Sequence, residues 1–247
     1  MKLSDTIYMV GSGDAGFSIT NEFDCTMYLI DCCETCVLID AGAGVDIAPI
    51  LSTIREDGFE PERISHILLT HGHGDHAGGA WALAQACGAE VYAMEPAAEF
   101  IREGNIEALS LEPAIRAGVY GPDYAFHACP VHSVKNGDVL HIGNRNITVI
   151  ASEGHSAGHC CYLMDENGKR ALFAGDSIIA GGKVSLQAIW DCELNKYVDT
   201  IRRLGKIHPD MLFPGHGCVV LNRGYLHIDK ANERLDTLAL PKNFIGE

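Results

Sequence analysis

The sequence predicts an α/β chain in which two β-sheets pack face to face with helices on their outer sides. Apolar runs of strand length fall in two batches, and helical periodicity follows each batch. The residues able to carry chemistry fall where strands end, so their side chains can converge. The 247 residues fit one large domain, 1–247, and no fixed-period repeat or low-complexity tract interrupts them. At this length roughly 70–75% of the unfolded chain's surface can be covered, so no staple is needed to hold the core.

The first batch opens with the apolar strands Met27–Asp31 and Cys36–Asp40, the second running into Ala41-Gly42-Ala43-Gly44. Asp46 is a candidate N-cap, after which Ile47, Ile50, Leu51 and Ile54 keep one helical face until Gly58 can end it. A buried strand over Ile64–Leu69 leads into a histidine-rich loop from His71 to His76. Ala80–Cys87 reads as a helix closed by Gly88, and Glu90–Ala93 as the strand after it. From Glu95 to about His132 the strand–helix rhythm breaks. This stretch has helix-like pieces and the cluster Tyr120, Tyr124, Phe126 and His127, and it reads as a helical insertion, about 95–132, over one edge of the core. The second batch opens with strands near Val139–Ile142 and Ile147–Ala151 about a Gly143-Asn144 turn. Strands Cys160–Met164 and Ala171–Ala174 follow about Asn167-Gly168. A helix over Lys196–Leu204, a strand over Met211–Phe213 and an amphipathic helix near Tyr225–Leu238 complete the order.

A composition of 47% hydrophobic and 21% charged residues is ordinary for a globular protein. The formal charge of −15, from 33 acidic and 18 basic residues, is unsuited to tracking a phosphate backbone, so nucleic acid is not an expected partner. No run approaches the roughly 18–20 apolar residues that span a bilayer, so neither is a membrane. The start shows no apolar segment with a small-residue cleavage site. Ten cysteines without an export signal then suggest reduced thiols and a cytoplasmic protein. Cys32-Cys33-x-x-Cys36 contains a C-x-x-C spacing, but a Cys₄ site needs a second such pair at a suitable distance. Flanking Val37-Leu38-Ile39-Asp40, these cysteines read as small buried hydrophobes.

The run Thr70-His71-Gly72-His73-Gly74-Asp75-His76-Ala77-Gly78-Gly79 sets four potential ligands within six positions, directly after an apolar strand. Alternate residues of extended chain project the same way, so His71 and His73 can grip one ion. Asp75 and His76 lie further round the turn and can face a second. The interleaved glycines permit backbone geometry that bulkier residues resist. Imidazole and carboxylate ligands suit zinc and also admit iron, manganese or cobalt. Solvated loop histidines would not explain the apolar lead-in, the glycines and the acidic residue among the histidines.

These residues closely resemble the first motif, T-H-x-H-x-D-H, of the metallo-β-lactamase fold superfamily. Gly154-His155-Ser156-x-Gly158-His159, Gly175-Asp176-Ser177 and Pro214-Gly215-His216-Gly217 match its further motifs in order. The resemblance runs from Met27–Asp31 to the last helix and implies a four-layer αββα sandwich of two mixed β-sheets flanked by helices. It implies that His71, His73 and His155 bind one metal ion and that Asp75, His76 and His216 bind a second. Asp176 would bridge the two, with His159 supporting the site from behind. Two ions about 3.5–4 Å apart need a bridging anion, and a carboxylate offers two oxygens for it. Asp75 and Asp176 are the candidate catalytic carboxylates, and two divalent ions, zinc ahead of iron or manganese, the expected cofactors. His66, His141, His208 and His227 read as structural, whereas His127 and His132 of the insertion can face substrate.

The superfamily hosts many reactions, so fold does not give function. The expected one is hydrolysis of an ester-like acyl bond, a thioester or lactone of a small molecule, by metal-bound hydroxide. The spacing around Asp176 and His216 is similar to glyoxalase II-type and lactonase-like members. The chain ends shortly after one helix, without the helical C-terminal region that glyoxalase II uses to bind glutathione, which argues against a glutathione thioester. The alternative is a mononuclear iron sulfur dioxygenase of the same fold. Flavodiiron members replace one ligand of the first motif by glutamate, and B1 lactamases carry cysteine where Asp176 stands. Lys183, after Gly181-Gly182, is a candidate partner for a substrate carboxylate. Tyr120, Tyr124 and His127 are candidate substrate residues, on an insertion that serves as a lid or as a homodimer contact.

Overall fold

In a computed structural model, which describes residues 1–245, the chain begins with a strand that the sequence analysis leaves unassigned. β1 (Ile7–Gly11) pairs antiparallel with β2 (Met27–Asp31), which pairs antiparallel with β3 (Cys36–Ile39). α1 (Ala48–Glu56) follows. Ile47 takes the N-cap place, but the Asp46 carboxylate still serves the helix by accepting the Ala48 amide at 2.9 Å. β4 (Ile64–Leu68) lies parallel to β3. The motif loop then closes into the short α2 (Gly74–Ala77), followed by α3 (Ala80–Cys87), which Gly88 ends in the left-handed conformation. β5 (Glu90–Met94) continues the parallel run.

The insertion holds α4 (Ala97–Glu103) and α5 (Glu112–Arg116). Its last residues belong to the sheet instead: Val131 and His132 open β6 (Val131–Val134), which pairs parallel with β5 at the sheet edge. Two buried valines bracket two exposed residues in this strand, so no alternation marks it in the sequence. The first sheet therefore runs β1 to β6 in order.

The second sheet contains β7 (Val139–Ile142), β8 (Arg145–Ala151), β9 (Cys160–Glu166), β10 (Lys169–Gly175) and β11 (Met211–Pro214). All neighbours in it are antiparallel except β10 and β11, which are parallel. α6 (Leu194–Gly205) and α7 (Tyr225–Asp236) cover its outer face. Both sheets are thus mixed, and helices flank them on the outside. No helix among the described residues is long and apolar enough to cross a membrane.

The pleat explains why the strands read as continuous apolar runs. In β3, Val37 and Ile39 face the space between the sheets while Cys36 and Leu38 face the helices. In β10, Ala171 and Phe173 face inward and Leu172 and Ala174 face α6 and α7. Tyr28, Phe173 and Phe213 fill the middle, with Phe173 stacked on Phe213 at 5.0 Å between centroids. Burying each ring contributes roughly 1.5–3 kcal/mol. The Tyr28 hydroxyl donates to the Pro214 carbonyl at 2.6 Å, so a β2 side chain fixes the end of β11.

The ends of β4, β10 and β11 and the β8–β9 turn meet at one rim, and α2 packs beside them. Two stitches hold α2 to the first sheet: Cys25 donates its amide to the Asp75 carbonyl at 3.1 Å, and Ala41 to that of His76 at 2.8 Å. The fit depends on missing side chains. A Cβ at Gly78 would stand 2.1 Å from the Ala43 carbonyl oxygen, and one at Gly79 the same distance from that of Ala41. Gly78→Ala therefore forces two backbone segments apart. It is expected to cost about 1–3 kcal/mol, lowering Tm by roughly 2–4 °C per kcal/mol in a chain of this size. A thermal melt matching wild type would show that the contact yields without cost.

Candidate metal centre

The rim gathers donor atoms into two linked groups. His71 and His73 follow β4, and His155 comes from the β8–β9 turn. Their ligand atoms lie within 4.8 Å of one another. Asp75 and His76 ride on α2 and meet His216, just past β11, in a second such group. Between them stands Asp176, directly after β10. Its Oδ1 is 3.4 Å from His76 Nε2 and 3.5 Å from His216 Nε2, while its Oδ2 is 3.5 Å from His155 Nε2. His216 Nε2 lies 3.1 Å from Asp75 Oδ2 and 3.3 Å from His76 Nε2. Donors held about 2.0–2.1 Å from one ion in a tetrahedron stand roughly 3.3 Å apart, so these spacings fit zinc-like coordination. His71 Nε2 and Asp176 Oδ1 are buried without a hydrogen-bond partner, an arrangement costing about 1–3 kcal/mol per atom unless something else engages them. Gly215 keeps the space clear, since a Cβ there would stand 2.6 Å from Asp176 Oδ1.

Neighbouring groups set which nitrogen each ring presents. Thr70 donates its hydroxyl to Asp40, so its oxygen accepts from His71 Nδ1–H at 3.0 Å and leaves Nε2 as the lone pair. His76 Nδ1–H donates to Asp40 Oδ2 at 2.9 Å, and His155 Nδ1–H to the Ser185 carbonyl at 2.7 Å. Such outer partners orient metal-binding histidines and raise their basicity. His159 stands behind the rim. Its Nε2 accepts the Asp176 amide at 3.1 Å and its Nδ1–H donates to Ser152 at 2.7 Å. Tyr197 of α6 donates to the Asp176 carbonyl at 2.5 Å.

Burial and neighbouring charge divide the protons. Burial, reinforced by the other imidazoles, holds His71 well below the ordinary histidine range, and burial pushes His155 down to about 4. Both rings are neutral donors at neutral pH. Burial also opposes charge on Asp75, but the His76 and His216 rings outweigh it and keep the carboxylate ionised. Asp176 stays ionised for the same reason, against its own burial, through His216, His155 and His76. His76 and His216 are raised despite burial, Cys25 and the carboxylates acting on the first and Asp176 and Asp75 on the second. A divalent cation would take the place of those protons and release them. Cys25, Asp40 and His76 also bring donor atoms within 4.8 Å. In that cluster His76 Nδ1 is already bonded to Asp40, so the pair orients the His76 ring toward the rim.

A cleft of about 340 Å³ opens on the rim, lined among others by Phe23, His73, Asp75, Leu111, Tyr120 and His216. Beyond it lies a second cavity of about 310 Å³, lined by Val45, Tyr120, Pro122, Tyr124 and His127. Tyr120 is the wall they share. Tyr124 donates to the Ala43 carbonyl at 2.9 Å, and His127 packs on Trp81. Both face the outer cavity and not the cleft. His132 lies on β6 against Tyr92, away from the rim. Lys183 does not line the cleft either. Its Nζ lies 5.8 Å from the Phe244 ring, which in turn stacks at 6.3 Å from His216. The loop after β10 folds back to pair Ile179 with Lys183, which keeps the lysine one ring removed from His216. His227 accepts the Gly181 amide at 2.6 Å, His66 stacks on Tyr92 and His208 on Tyr225. Sequence reasoning missed Asp40, Ser185, Asp191 and Tyr197. Asp40 alone carried a signal, as an acid ending an apolar strand.

A model of the metallo-beta-lactamase superfamily matches residues 20–216. Hydroxyacylglutathione hydrolase of Rhodobacter capsulatus is 30% identical over 204 residues, covering 82% of this chain and 65% of that protein. Atrochrysone carboxyl ACP thioesterase of Emericella nidulans is 27% identical over 188 residues, 75% of this chain and 49% of the relative. The chain thus spans less than two thirds of either relative's length. Among solved structures, a B3 metallo-β-lactamase with an active-site glutamic acid superposes with a TM-score of 0.70 at 28% identity, covering 94% of this chain and 86% of the other. BJP-1, a subclass B3 metallo-β-lactamase of Bradyrhizobium japonicum, gives 0.71 at 22% identity over 96% and 92%, and shows the fold alone.

The outer partners yield a test at Asp40. Asp40→Ala leaves the Thr70 amide, the Thr70 hydroxyl and His76 Nδ1 without their buried acceptor. Metal affinity is expected to fall about 10–100-fold, measured by chelator competition. Unchanged affinity would show that Asp40 does not orient His76.

Proposed function

The chain belongs to the metallo-β-lactamase superfamily, and from that premise we propose that it is a dinuclear metal-dependent hydrolase. Its proposed substrate is a small molecule with an ester-like acyl bond, a thioester ahead of a lactone. The observation that carries this reading is the position of Asp176, whose two oxygens face opposite donor groups. That placement lets one carboxylate serve both donor groups at once. His71, His73 and His155 would hold one ion and Asp75, His76 and His216 the other, with Asp176 shared. When bound, such ions polarise an acyl oxygen and make a water acidic enough to ionise at neutral pH.

The chain's own groups do the positioning. Asp75 and Asp176, held ionised by their histidine neighbours, balance the charge and orient what enters between them. Asp75 is the more open of the two and faces the cleft. Phe23, Leu111 and Tyr120 give the cleft apolar walls that exclude water and suit an acyl group. Among the described residues lining the cleft there is no lysine or arginine. A substrate anchored through its carboxylates, as glutathione would be, is therefore disfavoured. The relatives named as a thioesterase and as a hydroxyacylglutathione hydrolase support the reaction class, and the absence of lysine and arginine from the described cleft walls argues for a different thiol partner.

Metal analysis of the purified protein, with assays on acyl thioesters, lactones and β-lactams, tests the reading. Two divalent ions per chain and thioester hydrolysis are expected. Asp176→Asn should lose one ion and reduce turnover by orders of magnitude. Two ions and near-normal turnover in that variant would sink the dinuclear assignment, and one iron with oxygen consumption would favour a sulfur dioxygenase. Tyr120→Ala should join the cleft to the outer cavity and lower KM for longer acyl chains more than for short ones. An equal effect at every chain length would remove Tyr120 from substrate selection.

A further inference from the structure

His71, His76 and His155 each turn Nε2 to the rim and engage Nδ1 outside it, with Thr70, Asp40 and Ser185. His73 is reversed. Its Nδ1 faces inward, 3.0 Å from His155 Nε2, so Nε2 points away from the other donors. That outward nitrogen is buried and has no hydrogen-bond partner. The group facing it is the carboxylate of Asp191, with Oδ2 at 3.6 Å. Asp191 is itself only 4% exposed. Ser110 of the insertion donates to its Oδ1 at 2.7 Å, and the Ala157 amide donates to its Oδ2 at 3.2 Å. Ala157 lies two residues past His155.

We propose that Asp191 is the positioning residue for His73, accepting its Nε2–H and thereby fixing the tautomer that leaves the Nδ1 lone pair for the metal. The inference rests on the reading that His71, His73 and His155 hold an ion. A neutral imidazole bound through Nδ1 carries its proton on Nε2, and an unpaired buried N–H costs about 1–3 kcal/mol. Closing the contact to ordinary hydrogen-bond length needs a movement of roughly 0.7 Å. Asp191 then does for His73 what Asp40 does for His76. It also ties two other parts of the site to that ring: the insertion through Ser110, and the His155 turn through Ala157. Binding in the cleft against Ser110 and Leu111 is thereby linked to the ion at the first group.

The test uses the full chain loaded with zinc. Stepwise affinities come from chelator competition, and anomalous diffraction at limiting zinc identifies which group loses its ion. Asp191→Ala is expected to weaken the ion at His71, His73 and His155 by about 10–100-fold and to leave the ion at Asp75, His76 and His216 unchanged. Asp191→Asn should recover most of the loss, because its carbonyl can accept from both His73 and Ala157 while its amide meets Ser110. Nitrogen-15 NMR adds a readout besides affinity: in the wild type a hydrogen-bonded proton on His73 Nε2, whose resonance moves in the conservative variant Asp191→Asn. Wild-type affinities in Asp191→Ala, parallel weakening of both ions, or a His73 resonance indifferent to Asp191→Asn would each overturn the proposal. Wild-type protein that takes up no divalent ion would instead sink the metal reading itself.

Discussion

A carboxylate buried at the end of β3 sets the geometry of the rim. Asp40 is 1% exposed and sits in the left-handed region at φ 61°, where aspartate is tolerated better than branched residues. Its oxygens receive the Thr70 amide, the Thr70 hydroxyl and His76 Nδ1. The first bond fixes where the loop after β4 begins. The second turns the Thr70 oxygen into an acceptor for His71, and the third turns His76 Nε2 toward the other donors. A buried charge survives only when hydrogen bonds replace its water, and here the replacements are the groups that must be oriented.

Support of the same kind reaches the rim from the second half of the chain. Tyr28 bonds the Pro214 carbonyl across the space between the sheets, and Tyr197 and His159 hold the backbone of Asp176 from opposite sides. The packed aromatic centre beneath them leaves little room for these bonds to shift. Donor atoms on strand ends, with their rings held from outside, are placed more precisely than donors on free loops. Asp176 follows β10 directly and only Gly215 separates His216 from β11, which makes that placement possible.

The insertion has a different role. Its buried Leu109 and Leu111 pack on the first sheet while Ser110, Leu111, Ala114 and Tyr120 form one wall of the cleft. Its outer aromatics build a separate cavity. Loops carried by a rigid scaffold are where binding differences accumulate, and this one joins the wall of the cleft to Asp191 beside the first donor group. The chain's net charge is −15. No lysine or arginine among the described lining residues offsets it within the cleft.

The sequence by itself determined the layered architecture and the donor set. The alternation and apolar runs of β2, β3, β4 and β8 to β11 are local signals, and so is the spacing of His71, His73, Asp75 and His76. Short elements without alternation escaped it, as β1 and β6 show. Only the tertiary structure decided which nitrogen each histidine presents, because that depends on partners such as Ser185 and Asp40, 30 and 36 residues away in the chain. It also separated Tyr120, on the cleft, from Tyr124 and His127 on the cavity beyond, and set Lys183 behind Phe244. A period along the chain reports which face a residue takes. It carries no information about what comes to meet that face from a distant segment, and the chemistry at this rim is decided by those meetings.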